Sequence, residues 1–318
     1  LASLKLALIE NCKEGKMENA PLVENADCQK PFVKWVGGKG QLLKTFDEMF
    51  PRELLNGEIE TYVEPFVGGG AVLFHILQNY KIKRAYINDI NAELINCYRC
   101  IKADAKRTIA MLKKTKEEYL SSEDRANYFY KVRNHYNTTK LNEICDFEKC
   151  ADFIFLNKTC FNGLYRVNRK GEFNVPHGKY KNPTICDEEN LLSVSRALQK
   201  VEIHCGDYTL TESFIDKNSF VYLDPPYRPI SETSAFTSYN SHGFDDAEQI
   251  RLSKFIDKMN ERGAKIVLSN SDPKNANPDD NFFDDLYKAY KIGRVSASRM
   301  INSKAGGRGK IKELLVCN

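Results

Sequence analysis

From Pro31 onward, short runs of β-branched and aromatic residues alternate with stretches of helical periodicity, and this alternation constrains the fold more than any other feature of the chain. Residues 61–66 form such a run ahead of a helical pattern over 71–80, and residues 84–90 form another ahead of a helix opening at Asn91. Residues 201–204, 220–223 and 266–269 continue the series, the last after a long amphipathic helix over 245–262. Strands separated by helices specify an α/β fold, a doubly wound and mostly parallel sheet with helices on both faces. Near the C-terminus, residues 291–298 and 313–318 flank the glycine-rich AGGRGK, the pattern of a closing hairpin.

Over residues 94–195 the strand signals vanish, and helical segments lead into a Gly, Asn, Arg and Lys-rich stretch. An insertion of this length between two strands is expected to form its own helical plus hairpin subdomain, facing the carboxyl ends of the strands where such sheets bind ligands. The chain therefore divides into an extension over 1–30, a sheet domain built from 31–93 and 196–318, and the insertion over 94–195. Overall charge says little, because 47 basic residues meet 43 acidic ones for a net +4. Its distribution says more: between residues 157 and 182, Lys158, Arg166, Arg169, Lys170, Lys179 and Lys181 face Glu172 alone. Phe161, Tyr165 and Phe173 are interleaved with these cations, a composition suited to phosphates and to wedging between bases. The bland alternative is a solvated basic hairpin.

No apolar run approaches the roughly 18–20 residues that cross a bilayer, and residues 1–9 are too short and carry Lys5. Ten cysteines in a long chain without a secretory signal point to free thiols in a reducing, cytoplasmic compartment. Cys97 and Cys100 share a helical face with no second ligand pair, so core packing is expected there rather than a metal.

Three motifs carry chemistry. Glu64, Pro65, Phe66, Val67 and Gly68–Gly70 follow one strand and open a helix, so the glycines let the backbone approach a ligand at the positive helix end. Asp89 closes the next strand, where a carboxylate accepts both hydroxyls of a ribose. The dinucleotide pattern GxGxxG is absent, which disfavours NAD. Residues 32–40 lack the glycine spacing and the Ser or Thr of an ATP phosphate loop. The most informative stretch is Asp224-Pro225-Pro226-Tyr227, just past an apolar strand. Prolines cannot donate to a sheet ladder, so the segment leaves the sheet with carbonyls free. A planar base bearing an exocyclic amine can stack on Tyr227 and donate its two N–H groups to the Asp224 carboxylate and the Pro225 carbonyl. Two fixed acceptors favour the tetrahedral nitrogen that attacks an activated methyl group, by positioning and electrostatics alone. The alternative is a strand-ending turn. Asp224→Ala is expected to abolish turnover with folding nearly intact.

Residues 32–40, the EPFVGGG turn, INDIN at 87–91, CGDY at 205–208 and DPPY occur in the order found in the amino-methyltransferases of the Dam and DpnII type, class alpha, which the chain resembles from about Pro31 to its end. The resemblance implies a Rossmann-like fold and S-adenosylmethionine as cofactor, with no metal. It places Trp35, Gly38, Lys39, Glu64, Pro65, Phe66, Gly68, Gly69, Gly70 and Asp89 around that cofactor, with Asp207 and Tyr208 near its adenine. Asp224, with Pro225, Pro226 and Tyr227, then serves the target amine beside the methyl donor. The insertion becomes the target-recognition domain, similar almost residue by residue to relatives that recognise GATC. By that resemblance Arg166 reads guanine and Leu164 and Pro176 make apolar contacts. Phe161 with Asn162 enters the duplex beside the displaced adenine, Lys34 helps read the outer guanine, and Arg169 and Lys170 contact DNA. His177 departs from the commoner aromatic at its position, and the leader over 1–30 has no counterpart.

Residues 228–244, long and polar, are expected to form a lid over DNA. The implied activity is site-specific adenine-N6 methylation of double-stranded DNA by a monomer that flips its target, with room for a separately acting restriction endonuclease. Cytosine-N4 or RNA adenine as acceptor, and a catalytically inactive DNA-binding regulator, are the alternatives.

Overall fold

A computed structural model of the chain describes residues 28–40, 42–141, 145–228, 244–298 and 310–318. Two short helices, α1 (Leu43–Asp47) and α2 (Arg52–Leu55), lead into β1 (Thr61–Glu64), α3 (Ala71–Asn79) and β2 (Arg84–Asp89). The insertion then supplies α4 (Ala92–Ser121), α5 (Arg125–Thr138) and α6 (Phe147–Thr159) before α7 (Glu188–Leu198) returns the chain to β3 (Val201–Cys205). The remainder is β4 (Ser219–Leu223), α8 (Asp246–Glu261), β5 (Lys265–Ser271), α9 (Phe282–Leu286), β6 (Lys291–Ser298) and β7 (Lys310–Cys317).

The seven strands lie in the order β3-β2-β1-β4-β5-β7-β6. The first five are mutually parallel, and β7 pairs antiparallel with both β5 and β6. The expected α/β sheet and the closing pair of strands are both present, while the turn joining β6 to β7 lies outside the described residues. Strand β1 stops at Glu64, short of the expected Phe66, because Pro65 cannot extend the ladder. β1, β4 and the inner part of β5 are buried along their length, as parallel strands covered on both faces must be. One face carries Tyr62, Ile87 and Phe220 in a core shared with α3 and α4, and the other carries Val63, Val221 and Leu268 against Phe255 and Ile256 of α8.

Five helices start on a side-chain cap. Asn91, Asp124, Asp146, Asp187 and Asp245 each accept from the backbone N–H three residues on, opening α4, α5, α6, α7 and α8. Helix α4 breaks regularity at Asp104, whose φ of −155° and ψ of 86° are not helical. Its first half lies along the sheet edge, where Lys102 and Arg99 donate to the Val201 and Ile203 carbonyls of edge strand β3. Its second half carries the insertion. Cys97 and Cys100 are fully buried on α4, with the Cys97 thiol near the Cys150 carbonyl of α6, and burial pushes the Cys97 thiol up. The described cysteines are all free thiols. Among the described residues no helix is long and apolar enough to cross a membrane.

From β1 the chain winds to β2 and β3 on one side, then returns through β4 to β5 on the other. The strand order therefore reverses between β1 and β4, and a crevice opens beyond their carboxyl ends. Glu64 and Asp224 are the residues at that switch point.

Candidate active site

A cavity of about 1050 Å³ occupies the crevice. That is at the upper end of the roughly 300–1,000 Å³ typical of small-ligand sites. Its lining brings together every residue assigned from sequence to the cofactor and to the amine: Trp35, Gly38, Lys39, residues 64–66 and 68–70, Asp89, Asp207, Tyr208 and residues 224–227.

The β1 exit is shaped by packing as much as by clearance for a ligand. Gly68 and Gly70 hold φ of 48° and 76°. A Cβ on Gly68 or Gly69 would stand 2.8 or 2.9 Å from Trp35 atoms. Trp35 in turn stacks on Tyr165 of the insertion at 5.4 Å. Asp89 ties this turn to the next element, since Oδ2 accepts from the Gly68 N–H at 3.0 Å and Oδ1 from the Asn91 N–H at 2.9 Å. The Ile90 backbone also bonds this carboxylate, which lines the cavity. Glu64 is buried and accepts from the Tyr62 hydroxyl at 2.8 Å, and burial pushes its carboxyl well above the usual carboxylate range.

Beside the β1 exit, Tyr208 packs against Phe66 at 5.3 Å, and its hydroxyl, buried in the core, has no partner among the described residues. Asp207 is paired with Arg251 and accepts from Thr209, which holds its carboxyl down at about 2.

At the amine end, Asp224 Oδ1 accepts from the Lys39 ammonium and from the Ser269 hydroxyl, each at 2.9 Å. Both partners use the same oxygen, which leaves Oδ2 for an outside donor among the described residues. Lys39 is 3% exposed, also donates to the Gly37 carbonyl, and lies 4.6 Å from the Tyr227 ring centre. Sequence reasoning put Lys39 with the cofactor; the structure brings its ammonium to the Asp224 carboxylate. The Pro226 carbonyl accepts from Gln249 at 3.2 Å, whereas the Pro225 carbonyl is unclaimed among the described residues. Tyr227 donates its hydroxyl to Glu313 Oε2 at 3.1 Å.

Ser269, Gln249 and Glu313 escaped the sequence reading. Glu313 reaches the site because β7 runs antiparallel, so the start of the strand lies across from Ser271 at the carboxyl end of β5. A lone acid beside the apolar run LLVC was the available signal.

The basic segment forms a hairpin-like fold of two isolated bridges, Cys160 with His177 and Val167 with Phe173. Lys34, Phe161, Asn162, Arg166, Arg169, Lys170 and Pro176 are all exposed, and Leu164 is half-buried. None of them lines the cavity. The Arg166 Nε donates to Asn174, and Lys34 lies 5.1 Å from the Tyr180 ring centre. The expectation that three interleaved aromatics wedge between bases is corrected. Phe161 is 52% exposed, but Tyr165 and Phe173 are 7% and 3% exposed. They turn inward because Trp35, Phe153 and Tyr136 supply an aromatic cluster for them to complete. His177 also turns inward, to the Tyr119 hydroxyl at 2.8 Å. Asn157, unnoticed in the sequence, joins the two motifs by bonding both backbone groups of Lys34 and the Gly163 carbonyl. The stretch expected to form a lid lies outside the described residues between Arg228 and Phe244.

The family model for D12 class N6 adenine-specific DNA methyltransferases matches residues 35–301. The chain belongs to that class. A type II methyltransferase of Methanocaldococcus jannaschii is 51% identical over 91% of this chain and 99% of its own. A type II methyltransferase of Lactococcus lactis is 37% identical over 91% of this chain and 95% of its own, and a DNA adenine methylase of Vibrio cholerae is 33% identical over 90% and 95%. Membership implies S-adenosylmethionine as methyl donor for this DNA adenine-N6 methyltransferase. The residues present fit such a molecule: the Asp89 carboxylate lines the cavity beside the glycine turn, where ribose hydroxyls would reach it, and the packed rings of Phe66 and Tyr208 line the same cavity. Among the described residues no cluster of three or more metal-ligating side chains occurs.

Proposed function

We propose that this methyltransferase acts on an adenine flipped out of double-stranded DNA, within a GATC-like site. The observation that carries the reading is the pair of open acceptors, Asp224 Oδ2 and the Pro225 carbonyl, in the same cavity as Asp89 and the glycine turn. S-adenosylmethionine, when bound, supplies a methyl group already activated on a sulfonium. Asp89 would take its ribose hydroxyls, the turn over 68–70 would lie along its chain, and Asp207 with Tyr208 would meet its adenine.

The chain's own residues do the rest. Tyr227, tethered through its hydroxyl to Glu313, offers a ring face for the extruded base. The Asp224 carboxylate and the Pro225 carbonyl accept hydrogen bonds from the two amine N–H groups, which draws the nitrogen lone pair out of the ring, and the Asp224 charge faces the positive charge that develops on nitrogen. The proton lost on methylation leaves from that same nitrogen at Asp224. Lys39 and Ser269 hold the carboxylate by its other oxygen, and Gln249 holds the Pro226 carbonyl, so neither acceptor reorganises during the reaction.

The insertion over 94–195 serves as the target-recognition unit. Its exposed Phe161 and Asn162 would fill the space of the flipped adenine, Arg166 and Lys34 would read guanines, Leu164 and Pro176 would make apolar contacts, and Arg169 and Lys170 would meet phosphates. The type II names of two relatives support pairing with a separately acting endonuclease. The test is base-resolution sequencing of DNA from cells expressing the chain. N6-methyladenine confined to GATC is expected; N4-methylcytosine, or no modified base in that DNA, would overturn the reading.

A further inference from the structure

Helix α8 carries ties to both halves of the cavity, and the one made by Arg251 has no part in the proposed reaction. Arg251 reaches Asp207 through Nη2 to Oδ2 at 2.6 Å and Nη1 to Oδ1 at 3.3 Å. Its guanidinium lies 4.5 Å from the Tyr208 ring centre. Glu248, one turn earlier, holds that guanidinium through Nε and Nη2. Thr209 donates to Asp207 Oδ1 from both its backbone N–H and its hydroxyl. Oδ1 is therefore crowded with donors, while Oδ2 accepts from Arg251 alone among the described residues.

The Asp207 and Arg251 side chains are 44% and 43% exposed. So wet an ion pair adds little to the fold. What a planar fork does offer is direction, since two parallel N–H bonds fix the carboxylate plane where a single ammonium would not. Two residues before Arg251 on the same helix, buried Gln249 donates to the Pro226 carbonyl and accepts from Asn270.

We propose that Arg251 is a positioning residue for the cofactor: it fixes the Asp207 carboxylate and the Tyr208 ring as a rim that takes the adenine amine, and α8 ties this rim to Pro226 on the acceptor side. The inference rests on the reading of Asp207 and Tyr208 as the adenine end of the cofactor site.

The test is direct binding by equilibrium dialysis on the full chain, with thermal unfolding as control. S-adenosylhomocysteine is one probe, and its purine-riboside counterpart, with hydrogen in place of the adenine amine, is the other. Arg251→Gln should weaken the adenine probe about 10-fold, as expected for a hydrogen bond to a charged group that loses its alignment, with Tm nearly unchanged. Arg251→Lys should restore only part of that loss. The purine-riboside probe should bind wild type and Arg251→Gln alike. Wild-type affinity of Arg251→Gln for the adenine probe, or equal losses for both probes, would overturn the proposal. Asp207→Asn separates the two layers. If it weakens the adenine probe while Arg251→Gln does not, only the positioning role fails; if it binds normally, the adenine-rim reading fails with it.

Discussion

Replacing Asp224 by asparagine isolates the amine clamp from the fold. Asparagine keeps the side-chain shape, so its Oδ1 still accepts from Lys39 and Ser269, as the carboxylate does at 2.9 Å from each. The position of Oδ2 then carries an NH2 group, which donates where the incoming amine needs an acceptor. The charge facing the developing positive nitrogen is lost as well. Loss of one preorganised polar group costs about 10²- to 10³-fold in rate, about 2.7–4 kcal/mol of barrier, and the reversal from acceptor to donor puts this variant at the upper end. Alanine is the poorer probe. Lys39 is only 3% exposed against 21% for Asp224. Stripping a buried cation of its partner costs about 3–5 kcal/mol of stability. The nearest remaining acid, Glu313, stands 4.0 Å from Nζ and softens that penalty without removing it. The sequence-based expectation that Asp224→Ala leaves folding nearly intact is revised accordingly. The assay is single-turnover transfer of labelled methyl to a GATC duplex, with cofactor affinity measured separately. A near-normal rate in Asp224→Asn, with normal cofactor binding, would refute the clamp.

Three further outcomes are expected. Arg166→Ala should relax preference at one base pair by about 1–3 kcal/mol, whereas Lys170→Ala, at the hairpin tip, should weaken all duplexes alike and lower the salt slope by about 1; identical behaviour of the two variants in salt titrations would erase the distinction. Gly69→Ala should destabilise by about 1–3 kcal/mol through overpacking, because its Cβ would stand 2.9 Å from the Trp35 Cβ, and an unchanged urea midpoint would show that Trp35 yields freely. Asp207, held at about 2 chiefly by Arg251, has a folded value below the roughly 3.9 of an unfolded aspartate. Its contribution to stability is present above that unfolded value and is lost as pH falls through the folded one, but a pair 43–44% exposed makes that contribution small; the readout is therefore the carboxyl itself, whose NMR titration should move up in Arg251→Gln, and an unaltered titration would mean that the pair does not set it.

The parts of the molecule legible in the sequence are those whose cause is local. A strand covered on both faces is apolar along its run, so residues 220–223 announce β4, which starts one residue earlier at Ser219, and a proline pair must leave the ladder, so residues 224–227 announce their own exit. The parts that were not legible are set by what lies across the fold. Tyr165 and Phe173 share the alternating pattern of exposed Phe161, yet they face inward because Trp35 and Phe153, from distant stretches, leave an aromatic gap there. Nothing in the basic segment itself distinguishes the three rings.

The contacts that brace the motif were invisible for the same reason, although Lys39 itself was named from the sequence as a cofactor residue. Lys39, Glu313 and Gln249 come from the chain's start, its last strand and α8, and they meet only because β7 is inserted antiparallel and α8 covers the switch point. An amine clamp of one carboxylate and one carbonyl is specified by four consecutive residues, but its rigidity is not. Lys39 and Ser269 hold one oxygen of Asp224, Glu313 holds the tyrosine hydroxyl, and Gln249 holds the second proline carbonyl. Each of these ties leaves the two acceptors facing the cavity unoccupied. A tetrapeptide with free carbonyls on a flexible turn would solvate its acceptors and lose the alignment that the chemistry requires. The local motif thus names the reacting groups, and the long-range polar contacts decide whether those groups are preorganised enough to act.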